Sequence, residues 1–228
     1  MTLVKFEDVP VHECGEELVD LSKYGFVLEP AYYNQGLSTE PRMFLRKSVA
    51  DKLLEIQQGL GGYKFKIWDG FRPRVGQQAI YEKFWKELSE NHPEWDEEKL
   101  KMEVGVFVTA PNNPNRIPPH ATGSAVDLTL VDTEGKELNM GTVFDYFGHE
   151  AMPLYFEENS GNSVAAQNRK MLRGAMLSAG FGGDKDEWWH FDYKNQKWAV
   201  ELGYPEAIFG EVPTPGSNDK SPTSINVG

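Results

Sequence analysis

The chain has 228 residues, 39% hydrophobic and 25% charged, the make-up of a soluble globular domain long enough to bury a core. Its formal net charge of -12 repels phosphate backbones and anionic headgroups, which argues against nucleic acid or a membrane surface as partner. A single cysteine, Cys14, excludes an intrachain disulfide and a cysteine-rich zinc site.

The opening stretch MTLVKFEDVPVHECGEE has no basic segment followed by an apolar run. Nowhere does the chain approach ~18 consecutive apolar residues, so a cytoplasmic protein is the expectation. RMFLRKSVADKLLEIQQGLGG then carries Leu45, Val49, Leu53, Ile56 and Leu60 at helical spacing and stops at a glycine pair. YKFKIWDG predicts a short strand ending at Gly70. RVGQQAIYEKFWKELSENHP repeats the helical pattern through Ile80, Phe84 and Leu88 until Pro93, and PEWDEEKLKMEV predicts a shorter acidic helix. Residues 109–119, TAPNNPNRIPP, read as loop. SAVDLTLVD alternates as a strand does, with Val126, Leu128 and Leu130 on one face and Asp127, Thr129 and Val131 on the other. DTEGKEL is a turn. NSVAAQNRKMLRGAMLSAGF predicts a helix that starts at a capping Asn162 or Ser163 and ends at Gly180. EWWHFDY predicts a last strand.

No internal repeat is present, and the elements do not alternate as a doubly wound parallel sheet requires. The reading is a single α+β domain over 1–204, with a small, mostly antiparallel sheet covered by helices. Residues 205–228, rich in Pro, Gly and Ser, read as a loosely packed or disordered tail.

Of the five histidines, His12, His92 and His149 sit in contexts without a clear partner, the usual setting of a surface imidazole. His120 and His190 differ. His120 leads into a predicted strand, with Asp127 seven residues on and only small or apolar residues between them. His190 lies in a second predicted strand. A hydrolytic zinc site needs three protein ligands and one open position for water, and His120, Asp127 and His190 supply that count if the two strands are neighbours. Glu187 precedes His190 by three residues; on a regular strand the two would point to opposite faces, so sharing a site requires Glu187 to lie in a turn or bulge. Arg72, held between a strand end and Pro73, could face a developing oxyanion, although a surface salt bridge is the commoner fate of an arginine.

Taken together, WDGFRP, HATGSAVD and EWWH resemble the signature segments of the VanX-type D-alanyl-D-alanine dipeptidases, a zinc D,D-peptidase family. The resemblance runs from about Tyr63 to Tyr193. It implies that His120, Asp127 and His190 hold one Zn2+ per chain at the sheet. It makes Glu187 the general base, Arg72 the oxyanion donor and Asp145 a candidate for the substrate ammonium, with a small dipeptide as partner. The implied reaction is hydrolysis of D-Ala-D-Ala or a similar D,D-dipeptide to free amino acids. The alternative is a D,D- or L,D-carboxypeptidase acting on longer cell-wall peptides, and the non-enzymatic alternative is a zinc-binding module. The family pattern has a substrate-binding serine just before the metal histidine. Here Pro118 and Pro119 stand there and can donate no hydrogen bond.

Overall fold

The apolar periodicities become helices and strands in a computed structural model that describes residue 5 and residues 8–108, 116–146 and 148–213. In chain order come β1 (Leu18–Asp20), β2 (Val27–Leu28), α1 (Ala31–Asn34), β3 (Phe44–Arg46), α2 (Lys47–Gln58) and β4 (Lys64–Asp69). Next are α3 (Arg74–Asn91), α4 (Glu97–Phe107), β5 (Ala125–Val131), α5 (Tyr155–Ser160) and α6 (Val164–Ser178). β6 (Gly182–Gly183), β7 (His190–Asp192) and α7 (Gln196–Leu202) complete the chain. The main sheet has the order β2-β4-β5-β7-β6. Its β4–β5, β5–β7 and β6–β7 pairs are antiparallel, and β2–β4 is parallel. This is the expected mixed α+β domain. No helix among the described residues is long and apolar enough to cross a membrane.

β5 is the axis of the sheet, and each of its residues is buried. Val126, Leu128 and Leu130 face a core built with Val49, Leu53 and Ile56 of α2, Phe65 and Ile67 of β4, and Leu172 and Met176 of α6. Removing each such side chain from water is worth roughly 1.5–3 kcal/mol, which fixes the register of β5 firmly. The opposite face carries Asp127 and Thr129, also buried. A second cluster, Tyr32, Ile80, Phe84, Val104 and Val108, joins α1, α3 and α4.

A bulge in β4 decides what stands beside Asp127. Ile67 pairs with Leu128, but Asp69, not Trp68, pairs with Asp127. The extra residue shifts the alternation by one, so Asp69 shares a face with Asp127 instead of pointing to the apolar core.

Three expectations change. The helix predicted from residue 42 begins at Lys47, because Phe44–Arg46 pairs antiparallel with Leu18–Asp20. The strand predicted at 187–193 is regular only over His190–Asp192. The tail boundary also moves: residues 205–213 pack against the domain, with Phe209 and Val212 buried and the Val212 N–H donating to the Ala121 carbonyl at 2.9 Å. These two apolar side chains find a pocket that the Pro/Gly/Ser content of the stretch does not reveal. The remainder of the expected tail, 214–228, and residues 109–115 of the expected loop lie outside the described residues.

The turn that carries His120, Pro119–Thr122, is held from several sides. Pro118 and Pro119 open it with φ values already fixed. Arg46, 3% exposed, donates through Nε to the Thr122 carbonyl at 2.8 Å and through Nη2 to Glu13 Oε2 at 3.0 Å and to the Gly210 carbonyl at 3.3 Å. Gly123 closes the turn at φ +69, where a Cβ would lie 2.5 Å from Leu18 Cδ2. Gly123→Ala combines left-handed strain with a clash, so it is expected to cost roughly 1–3 kcal/mol. The expected signature is a lower denaturant midpoint at unchanged slope; an unchanged midpoint would show that the turn absorbs the methyl group.

Candidate metal centre

Pairing of β5 with β7 sets Asp127 directly opposite His190. Asp127 Oδ1 lies 2.9 Å from His190 Nδ1. His120 arrives from the turn before β5 and places Nε2 3.3 Å from both Asp127 Oδ2 and His190 Nδ1. One ligand atom from each of the three residues falls within 4.8 Å of the others, and all three residues are buried.

The far side of each imidazole is engaged. His120 Nδ1 is 2.8 Å from the Gly70 carbonyl, which can only accept, so Nδ1 carries the proton and Nε2 offers its lone pair. His190 Nε2 is 3.0 Å from Asp192 Oδ2, and Asn195 Nδ2 donates to Asp192 Oδ1 at 2.7 Å. That leaves His190 Nδ1 facing the cluster. Two imidazole lone pairs and a carboxylate converging in a buried space require a cation between them. This donor set fits a divalent zinc-like ion with a position left for a further ligand.

The electrostatics agree. Burial alone would raise the Asp127 carboxyl, but the adjacent His120 and His190 hold it well below the usual carboxylate range. Burial opposes charge on His190, yet Asp192 and Asp127 push its pKa well above the ordinary value. With no metal between them, a proton is the charge that satisfies this pair.

The cluster opens into a cavity of about 440 Å³ whose walls include Arg72, Asp145 and Glu187. Glu187 sits in irregular chain just before β7, the placement that sharing a site with His190 demands. Burial, then the nearby Asp184, raises its pKa well above the usual carboxylate value. Arg72 is tied at both ends: its N–H donates to the His120 carbonyl at 3.1 Å, and Nε lies 3.2 Å from Asp69 Oδ2. Its guanidinium also stacks over the Tyr32 ring, 4.8 Å from the centroid. Asp145 adopts φ +57 and accepts a hydrogen bond from the Tyr32 hydroxyl at 3.1 Å, while its other oxygen is buried without a partner among the described residues. Burial, then Asp127, raises its pKa to about 7.

His12, His92 and His149 lie elsewhere. His12 is beside Glu206, His92 stacks on Trp95, and His149 occupies a separate short turn. Sequence reading missed Asp69, Tyr32, Asp192 and Asn195. Asp192 had a usable signal, since a residue two beyond His190 on a strand must share its face. Asp69 had none, because only the bulge turns it toward the site. Tyr32 is brought in by the small helix α1, far away in sequence.

The profile of the peptidase M15 family, described as D-ala-D-ala dipeptidase, matches residues 18–210. The D-alanyl-D-alanine dipeptidase of Synechocystis sp. is 29% identical over 234 residues, covering 90% of this chain and 95% of that protein. The D-alanyl-D-alanine dipeptidase of Escherichia coli K12 is 33% identical over 161 residues, covering 69% of this chain and 70% of that one. The crystal structure of the vancomycin resistance D,D-dipeptidase VanXYg with a D-Ala-D-Ala phosphinate analog aligns over 86% of this chain and 66% of that one, with a TM-score of 0.43 and 20% identity. With the profile spanning both sheets and the walls of the cavity, the chain belongs to the M15 family of D-Ala-D-Ala dipeptidases.

Proposed function

We propose that this chain is a zinc metallopeptidase that hydrolyses D-Ala-D-Ala, or a similar D,D-dipeptide, to free amino acids, with one Zn2+ held by His120, Asp127 and His190. The observation that carries this reading is the convergence of three buried ligand atoms at a cavity that Glu187, Arg72 and Asp145 also line. Family membership supports it. When bound, zinc supplies a Lewis acid that brings the pKa of a coordinated water down to ~7.

The chain's own groups do the rest. Glu187 takes a proton from the attacking water and returns it to the leaving amine. Burial raises its pKa above the ordinary carboxylate value, the direction that strengthens it as a proton acceptor. Arg72 faces the carbonyl oxygen as negative charge develops there, and the Asp69 carboxylate and the Tyr32 ring keep the guanidinium in place beforehand. Asp145 receives the substrate ammonium on its unpartnered oxygen, with Tyr32 holding the other. Asp192, locked by Asn195, engages His190 Nε2 and leaves Nδ1 as the nitrogen that would hold the metal.

Glu187→Gln is expected to retain zinc, measured by metal analysis, and to lose roughly 10²–10⁴-fold in kcat. Full hydrolysis by the zinc-loaded variant would remove Glu187 from its role. Asp192→Ala is expected to weaken zinc binding by ~10–100-fold in a chelator competition; unchanged affinity would mean that His190 needs no orienting partner. The Asp145 carboxyl is neutral below about pH 7 and anionic above it. KM for D-Ala-D-Ala therefore rises as the pH falls through about 7, or somewhat lower once a cation neutralises Asp127. Asp145→Asn flattens that dependence. Cleavage of a cell-wall pentapeptide with the dipeptide untouched would replace this reading with a carboxypeptidase.

A further inference from the structure

Arg169 projects from α6, is 2% exposed, and touches no part of the cavity described above. Its Nε donates to the Met140 carbonyl at 2.7 Å, Nη1 to the Met152 carbonyl at 2.8 Å, and Nη2 to Thr142 Oγ1 at 3.2 Å. The three acceptors bracket the segment 140–152, in which Asp145 sits at φ +57. A non-glycine residue in that conformation persists only where its surroundings fix the chain on both sides. The Thr142 hydroxyl also accepts from Trp188 Nε1 at 2.8 Å, and the Trp188 N–H donates to the Ala151 carbonyl at 3.0 Å. Trp188 directly follows Glu187. The guanidinium lies 4.7 Å from the Phe156 ring centroid and 5.4 Å from that of Trp188.

A buried cation whose hydrogen bonds end on neutral oxygens is a poor source of stability, since its desolvation is not offset by an opposite charge. What a planar fork with fixed donors does supply is a rigid three-point geometry. We infer that Arg169 is a positioning residue that keeps Asp145 and Glu187 in register, by joining the loop of one to the strand approach of the other through Thr142 and Trp188. This rests on the roles given to Asp145 and Glu187 under the proposed function.

The test compares wild type with Thr142→Val, Arg169→Lys and Arg169→Met, each zinc-loaded, on D-Ala-D-Ala and on propionyl-D-alanine, which lacks the α-amino group. Misplacing both groups by a fraction of an ångström is expected to lower kcat/KM on D-Ala-D-Ala by roughly 10–100-fold in Thr142→Val and Arg169→Met, with Arg169→Lys between. The loss should appear in KM and in kcat. On propionyl-D-alanine the KM part should vanish and the kcat part remain. Asp145→Asn combined with Arg169→Met should raise KM by less than the product of the single changes. Equal losses on both substrates, with multiplicative effects in the double variant, would overturn the coupling and leave Arg169 a purely structural group. So would unchanged kinetics in Thr142→Val, which decides the matter even where Arg169→Met fails to fold. If Asp145→Asn alone leaves KM unchanged, the role of Asp145 fails instead, a result readable independently of every Arg169 variant.

Discussion

Asp127 and His190 face each other across the hydrogen-bonded strands β5 and β7, and a carboxylate in that position imposes conditions on everything around it. Asp127 is 3% exposed. An isolated buried carboxylate would be severely destabilising, so it must be met by positive charge and hydrogen bonds. His190 supplies one partner from the sheet and His120 a second from a turn. Each imidazole is in turn fixed from behind, by the Gly70 carbonyl and by Asp192. The cluster is therefore set by a register, and a slip of one residue in β5 would exchange Asp127 for Val126 and send the carboxylate into the apolar core.

The sheet alone cannot complete the site. Beyond Asp127 on the other side from His190, the β4 bulge delivers Asp69, which lies 3.4 Å from His120 Nδ1 and 3.2 Å from Arg72 Nε. Asp69, Asp127 and His190 thus form a row across three strands. His120, Arg72 and Asp145 come from chain outside the strands, and such segments must be held by something other than a ladder. Two buried arginines serve there. Arg46 gathers the N-terminal segment, the His120 turn and the C-terminal segment near Gly210. Arg169 does the same for the segment around Asp145. In both cases the guanidinium binds carbonyls of chain outside the strands and helices.

What could be read from the sequence was what repeats or what stands in a short motif. The helices α2, α3 and α6 follow from their apolar spacing, and Ser163 is one of the two caps that the sequence offers for α6. His120, Asp127 and His190 supply a ligand count by chemistry, but grouping them needed the two strands to be neighbours, and it was the three motifs taken together that assigned them. Features that depend on long-range pairing were hidden. Phe44–Arg46 has the spacing of a helix start and becomes a strand only because Leu18–Asp20 lies beside it. Trp68 and Asp69 look like ordinary alternation, and the bulge that separates them is a property of two strands, not of one. Phe209 and Val212 sit in a stretch whose composition is that of a tail, yet burial of two apolar side chains outweighs the local propensity.

The same burial that makes Asp127 dependent on cations also shapes the acids around it. Asp69, Asp145 and Glu187 all have their pKa values raised, chiefly by burial. Burial thus works against the charged forms of these acids, while Arg72 beside Asp69 opposes that shift. A divalent cation between His120, Asp127 and His190 reverses that balance, because it favours the ionised form of every carboxyl near it. Metal uptake would then be accompanied by proton release, favouring the ionised forms of Asp145 and Glu187 together. The chain's overall charge of -12 does not by itself create this; the low exposure of a few carboxyls does.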